Sequence, residues 1–197
     1  MKRILLAGTA LWFAGSAMIL GSFVDARAAG MTHLTETVLT DHGSPVTIRF
    51  ADAPVTAVIF VSSTCEVTAA YSARLEQLFA DYSSKKVQFV FVDANANETA
   101  ADIDAYVRSK GWTFHVYKDD SNRLADQLDA HVTPEVFLFD KAGELRYHGR
   151  VDDSRPGTNI TSKDARDALD AMLSGKPVPV SETKALGCTI SRVQSHK

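Results

Sequence analysis

The spacing of apolar residues changes along the chain, and each change predicts a new element of secondary structure. A continuous apolar run at residues 57–61 is typical of a strand buried on both faces, and residues 87–92 form a second such run. Between them, apolar residues recur at helical spacing from Ala70 to Tyr82, which predicts an amphipathic helix. A further helix is predicted over 99–110. Strands that alternate with helices are typical of an α/β domain.

Two predicted hairpins flank this alternating region. Thr35–Thr40 and Pro45–Phe50 are rich in β-forming residues on either side of a polar turn, and Val136–Phe139 and Leu145–Val151 surround a second turn. Antiparallel hairpins combined with helical crossovers predict an α/β sandwich with a mixed central sheet.

Shorter elements complete the prediction. A strand at 114–117 and a helix at 122–129 precede the second hairpin. Thr161 and Asp164 have the spacing of a capping box, which predicts the start of the last helix. The stretch 176–197 has no clear period, so we expect an irregular C-terminal tail.

The first residues have the pattern of an export signal. Lys2 and Arg3 precede an apolar run from Ile4 to Val24, and Ala26-Arg27-Ala28 follows as an A-x-A cleavage pattern. We expect residues 1–28 to be a secretory signal, which is removed to leave a periplasmic or secreted protein. The apolar run is long for a signal, so an uncleaved membrane anchor is the alternative.

Length and charge limit the remaining possibilities. The chain has 197 residues, enough for one domain with extensions, and we expect a domain at 29–175 and a tail at 176–197 that carries Cys188. The net charge is −3 and no basic patch occurs, which argues against nucleic-acid binding. Once the signal is cleaved, no stable insertion into a membrane is expected.

Cys65 is the first candidate for chemistry because it lies where a predicted strand passes into a predicted helix. The backbone N–H groups and the dipole at a helix N-terminus favour a thiolate, so they lower the pKa of a thiol there. The polar stretch Ser62-Ser63-Thr64 before it also favours a reactive cysteine over an inert buried one. The only other cysteine is Cys188, and in an oxidising compartment the two can form one disulfide.

Four short motifs between residues 50 and 192 carry a family resemblance. They are Cys65-Glu66-Val67, Thr133-Pro134-Glu135-Val136-Phe137, Tyr147-His148-Gly149-Arg150-Val151-Asp152-Asp153 and Gly187-Cys188-Thr189-Ile190. In this combination the chain resembles the thioredoxin-like superfamily, and within it a branch of exported redoxins related to peroxiredoxins. The resemblance implies a thioredoxin-like three-layer sandwich and a cis peptide bond before Pro134.

The resemblance implies two alternative reactions for the cysteines. In the first, the Cys65 thiolate attacks a substrate disulfide and Cys188 releases the mixed disulfide. In the second, a peroxide oxidises Cys65 to a sulfenic acid, which then condenses with Cys188. The expected partners are a protein thiol or disulfide, or a peroxide, together with a reducing partner protein. No cofactor is expected.

The resemblance also implies a substrate-binding set beside Cys65. The backbone at Thr133 and Pro134 is expected to bind the substrate. Ser62 offers a hydroxyl, Thr68 stands where thioredoxins carry a second cysteine, and Arg150 offers a positive charge. A solvated strand arginine is the alternative interpretation of Arg150.

The chain departs from its relatives' patterns at three other positions. Val58 and Ser62 stand where the peroxiredoxin pattern has proline and threonine, which argues against a peroxidase. Glu66 replaces the proline that follows the nucleophile in the redoxin branch, and a carboxylate beside a thiol tends to raise its pKa.

Functions of other classes stay open. Cys65, Cys188 and a histidine such as His131 have the ligand types of a Cu(I) site, but the histidines show no metal-ligand spacing and no bound metal is expected. A redox-inert binding protein, in which Cys188 forms a purely structural disulfide that pins the tail, is the third possibility.

Overall fold

The computed structural model describes residues 33–194, and its strands and helices follow the predicted alternation. The predicted signal at 1–28 lies outside the described residues. Within them, no helix is long and apolar enough to cross a membrane. The strands are β1 (Glu36–Asp41), β2 (Ser44–Arg49), β3 (Val55–Phe60), β4 (Val87–Asp93), β5 (Val116–Lys118), β6 (Val132–Thr133), β7 (Glu135–Asp140), β8 (Leu145–Gly149) and β9 (Cys188–Thr189). The helices are α1 (Glu66–Ser83), α2 (Ala100–Lys110), α3 (Arg123–Gln127) and α4 (Asp164–Leu173).

Seven strands form one mixed sheet in the order β2-β1-β5-β4-β3-β7-β8. The central strands β3, β4 and β5 are parallel, whereas β1, β2, β7 and β8 join the sheet through antiparallel pairs. The predicted mixed sheet is therefore confirmed. Because β3 and β4 pair in parallel, the loops that follow them leave the sheet at the same edge.

The core lies on both faces of this sheet, as a three-layer sandwich requires. Every residue of β3 is buried, and its side chains alternate between the faces: Ala57 and Ile59 pack with α1 and α4, whereas Val58 and Phe60 pack with α3. Because both faces of the strand are buried, its sequence shows a continuous apolar run and no alternation of apolar with polar residues.

The structure agrees with the predicted range of the helix at 99–110 but not with the predicted start of the last helix. Thr99 and Asp102 form a capping box at the start of α2. At the last helix the predicted capping box is wrong, because the Thr161 backbone N–H and hydroxyl both donate to Asp153. The helix α4 begins three residues later, at Asp164. Thr161 therefore binds the Asp153 carboxylate of the preceding loop and does not cap the helix.

The tail after α4 is irregular for most of its length, as predicted, but it is bound to the rest of the domain at three places. The backbone N–H of Thr183 donates to the His148 carbonyl in β8, and the His148 N–H donates to the Ser181 carbonyl, both at 2.9 Å. The two-residue strand β9 then pairs with β6. Beyond it, Ser191 donates from its backbone to Asn95 at 2.9 Å, and Val193 donates to Asn122 at 2.6 Å.

Arg74 of α1 holds the long loop between β8 and α4. Its guanidinium donates to both carboxylate oxygens of Asp152 at 2.9 Å and to the carbonyls of Ser154 and Arg155. The Asp152 side chain is only 7% exposed, and apart from the Ser154 backbone N–H its hydrogen bonds among the described residues come from Arg74.

Replacing Arg74 with leucine should therefore destabilise the protein by about 3 kcal/mol, because it leaves a buried carboxylate without its partner. Urea unfolding measures the change. Arg155→Leu is the matched control, since Arg155 is exposed and lies 3.5 Å from Glu66 at the surface, where a salt bridge contributes little. Equal losses in the two variants would contradict the assigned role of Arg74.

Candidate active site

Cys65 occupies the N-cap position of α1, at the predicted junction between a strand and a helix. Its backbone is extended, and its Sγ accepts a hydrogen bond from the backbone N–H of Thr68 at 3.4 Å. The residue is 2% exposed. A sulfur at this position is close to the positive end of the helix dipole, which stabilises a thiolate.

The turn between β6 and β7 places a backbone carbonyl beside this sulfur. The Thr133–Pro134 peptide bond is cis, as the resemblance implied. The carbonyl oxygen of Thr133 lies 3.1 Å from Cys65 Sγ. Buried Glu135 orients the same turn, because its carboxylate accepts from the backbone N–H groups of His131 and Val132.

Cys188 forms a disulfide with Cys65, with the two Cα atoms 5.7 Å apart. The pairing of β9 with β6 places Cys188 directly opposite Thr133. The disulfide thus joins two residues that are 123 positions apart in the chain, and it lies at the edge of β6. Cys188 is partly exposed, whereas Cys65 is buried beneath it.

Glu98 holds the loop that leads into Cys65. Its carboxylate accepts from the hydroxyl groups of Ser62, Ser63 and Thr64 and from the backbone N–H of Ser63. Burial of Glu98 opposes its ionisation, but these donors outweigh that effect and hold its pKa below the usual value. An ionised carboxylate therefore organises all three residues before the cysteine.

A buried ion pair lies next to Glu98 at the end of β4. Lys118 donates to Asp93 at 2.7 Å and to the Asn95 carbonyl at 2.5 Å. Burial raises the pKa of Asp93 to about 7, the Lys118 ammonium opposes the rise, and the Glu98 charge adds to it. The same Asn95 receives the tail through Ser191, so this polar network reaches both the loop before Cys65 and the segment after Cys188.

A cleft of about 330 Å³ opens beside the disulfide. Val67 and Tyr71 of α1 form one wall, and Leu186 and Gly187 of the tail form another. Burial raises the pKa of Tyr71 to about 12, and its hydroxyl donates to the Asp152 carbonyl at 3.1 Å. Arg150 also lines the cleft, so both an apolar and a cationic surface are available to a ligand.

The structure brings some of the predicted substrate-binding residues to the sulfur and directs others elsewhere. Thr133 and Thr68 contact Cys65 through their backbones, and the hydroxyl groups of both lack a hydrogen-bond partner among the described residues. The Ser62 hydroxyl instead donates to Glu98 at 2.5 Å. Arg150 donates to Asp164 at 2.7 Å, so its guanidinium is held at the rim of the cleft.

The ligand types considered for copper do not converge. His131 is exposed and its Nε2 lies 3.2 Å from Asp129, while both cysteines are joined in the disulfide. Within residues 33–194, no group of three or more histidine, cysteine or acidic side chains has metal-binding geometry.

Sequence reasoning missed Glu98, Asp93 and Lys118 as parts of the site. A usable signal was present, because the polar segments 62–64 and 93–98 follow two strands that were both predicted to be buried. Neighbouring parallel strands bring such segments to one edge of the sheet. Glu135 and Gly187 lie in two of the quoted motifs, but their contacts with the turn before β7 and with Thr133 had no comparable signal in the sequence.

Comparisons with known proteins agree on the fold. The sequence model of a thioredoxin-like family matches residues 54–145. A hypothetical protein from Sinorhizobium meliloti 1021 is 32% identical, with a TM-score of 0.76 over 85% of this chain and 96% of that one. An uncharacterized conserved protein from Geobacillus kaustophilus is 27% identical, with a TM-score of 0.76 over 86% and 96%.

A more distant structure shares the fold alone. It is a putative thiol:disulfide interchange protein DsbE from Chlorobium tepidum, which is 17% identical, with a TM-score of 0.56 over 75% of this chain and 96% of that one. The search of curated proteins found no match.

The raised pKa of Asp93 predicts how stability depends on pH. The folded protein binds a proton at Asp93 more tightly than the unfolded chain does, so this stabilisation is complete below about pH 4 and is lost as the pH rises through about 7. The free energy of unfolding should therefore fall more steeply between pH 5 and 8 in the parent protein than in Asp93→Asn. The excess slope cannot exceed about 1.4 kcal/mol per pH unit for one group. Parallel curves from urea titrations of the two proteins would show that Asp93 does not titrate in this range.

Proposed function

Because this chain belongs to the thioredoxin-like superfamily, we propose that it is a thiol–disulfide oxidoreductase that uses Cys65 and Cys188 as its redox pair. The observation that supports this most directly is the disulfide itself. It joins the N-cap sulfur of α1 to a cysteine 123 residues away, against the Thr133 carbonyl. A helix N-terminus makes Cys65 the better leaving group and the better-stabilised thiolate of the pair.

The proposed reaction has two exchange steps. The Cys65 thiolate attacks one sulfur of a substrate disulfide, forming a mixed disulfide and releasing the other substrate sulfur as a thiolate. The Cys188 thiolate then attacks Cys65, which restores the Cys65–Cys188 bond and releases the second substrate thiolate. Two electrons pass from the cysteine pair to the substrate, and a reducing partner protein returns them.

Disulfide exchange fits the surroundings of Cys65 better than peroxide reduction does. The Ser62 hydroxyl and the Arg150 guanidinium are the groups that were expected to assist at the sulfur. Both are engaged by carboxylates, Glu98 and Asp164 respectively. Binding of Arg150 and of Ser162 overcomes the effect of burial and holds the pKa of Asp164 low, so the Arg150 pair persists at neutral pH.

Single cysteine variants should separate the two proposed steps. With the reduced protein and 2,2′-dithiodipyridine as the disulfide substrate, Cys65→Ser should lose the rapid reaction, because the remaining Cys188 thiol lies away from a helix N-terminus and is the weaker thiolate. Cys188→Ser should still perform the first step and should accumulate one mixed disulfide per chain, because the resolving thiol is missing. Mass spectrometry of acid-quenched samples measures the trapped species.

The double variant Cys65→Ser/Cys188→Ser provides the background, since the chain has only these two cysteines. A parent disulfide that resists mild reductant, with no Cys65-dependent reduction of 2,2′-dithiodipyridine, would contradict the proposal and favour a structural bridge. Rapid consumption of hydrogen peroxide that depends on Cys65 would replace it with a peroxidase.

We also propose that the chain acts after export, since a stable disulfide cycle suits an oxidising compartment. This rests on the charged, apolar and A-x-A segments of residues 1–28. Expression of the full chain in a bacterium should yield a periplasmic protein whose sequence begins at Ala29. An intact N-terminus in the membrane fraction would instead indicate an anchor.

A further inference from the structure

We propose that the tail segment 186–190 occupies the site at which a partner polypeptide binds, and that this partner is an extended chain with glycine immediately before its reacting cysteine. The inference rests on the proposed function, because the partner is the protein whose cysteine exchanges with Cys65. It extends that function by naming what the partner must look like.

The first observation is the backbone edge of β6. Among the described residues this edge pairs with β9 alone, and it places Thr133 opposite Cys188 and Val132 opposite Thr189. Ile190 continues the strand by donating from its backbone to the His131 carbonyl at 2.9 Å. An extended chain can use these same groups, because strand addition depends on main-chain hydrogen bonds.

The second observation is that access to the Cys65 sulfur is confined to this edge. The residue is 2% exposed, and the sulfur is contacted by the Thr133 carbonyl, the Thr68 backbone N–H and Cys188. A partner cysteine must therefore take the place that Cys188 holds in the disulfide. Its neighbouring residues must then follow the path of the tail.

Gly187 sets the strictest condition on that path. A Cβ added there would collide with the backbone oxygen, carbon and nitrogen of Thr133, none of which can move aside as a flexible side chain would. The backbone of Gly187 lies outside the left-handed region, so space and not conformation requires glycine. A partner with a larger residue immediately before its cysteine cannot approach the edge as closely.

Ile190 sets a second, weaker condition. It is 3% exposed and packs in the apolar cluster on the α3 face of the sheet. A partner with an aliphatic residue two positions after its cysteine fills the same place. Leu186, on the other side of the cysteine, is 70% exposed beside the cleft, so many residue types are tolerated there.

Sharing one edge couples the two exchange steps. While the partner is bound to β6 as a mixed disulfide with Cys65, the tail cannot pair there. When Cys188 attacks Cys65, β9 returns to β6 and displaces the partner strand as its thiolate leaves. Because the tail is part of the same chain, it competes at an effective concentration in the millimolar range.

Peptide exchange with the full-length Cys188→Ser variant tests the proposal. The probe is a peptide that copies residues 183–192, with its cysteine activated as a 2-pyridyl disulfide, so that attack by Cys65 releases coloured thiopyridone. The matched peptide carries valine in place of the glycine before the cysteine, and a control peptide carries valine in place of the alanine three residues before it. The glycine peptide and the control should react about tenfold faster than the valine peptide, a difference of about 1.4 kcal/mol in activation free energy.

A second pair of variants tests whether the tail itself blocks the edge. Adding Gly187→Val to Cys188→Ser should displace the tail and speed coupling of the glycine peptide, whereas Lys176→Val, at an exposed tail position outside 186–190, should leave the rate unchanged. Thermal melting checks that both variants stay folded.

Two results would overturn the proposal in distinguishable ways. Equal rates for the glycine and valine peptides would show that the partner does not follow the path of the tail, while the proposed function would stand. A Cys65 that reacts with neither peptide nor with 2,2′-dithiodipyridine, even after Gly187→Val, would contradict the proposed function itself.

Discussion

The parallel pairing of β3 with β4 is the constraint on which the site depends. Both strands are buried in the centre of the sheet, so their register is fixed by packing on two faces. Their carboxyl ends deliver the loop before Cys65 and the segment 93–98 to the same edge. Glu98 then binds the loop, and Asn95 binds the tail. Without this pairing, neither the cysteine nor its partner strand has a fixed location.

Burial of any one charge of this polar network would by itself destabilise the protein, but the complete network compensates each charge. Asp93, Glu98 and Lys118 are nearly fully buried, and removing such charges from water is unfavourable. Each is compensated by several donors or acceptors, which include the hydroxyl groups before Cys65 and the carbonyl of Asn95. The network therefore positions the site more than it stabilises the fold. It holds two loops and the tail in one arrangement around the sulfur.

The elements that pack on their own periodicity could be predicted from the sequence. The strand β3 is marked by its own apolar run. The helix α2 is marked by its own residues from Thr99, which caps its start, to Gly111, which follows its end. The α4 start was wrong because Asp153, eight residues away, binds Thr161. The two-residue strands β6 and β9 are too short to show a period, and they pair with each other in a separate two-stranded sheet that requires the tail to return to β6. Cys65 could be placed from local pattern, whereas the location of Cys188 is a purely tertiary result.

The chain order of the two cysteines has a consequence for biosynthesis. Cys65 follows the third strand, whereas Cys188 comes after every strand of the seven-stranded sheet and after α4. A chain that emerges amino terminus first can thus complete its whole sheet before the second sulfur is available. Throughout that interval Cys65 faces an uncovered β6 edge and is open to other thiols and disulfides in its surroundings. Closure by Cys188 must therefore wait until the tail has been made, and the presence of the disulfide reports that synthesis has proceeded through Cys188.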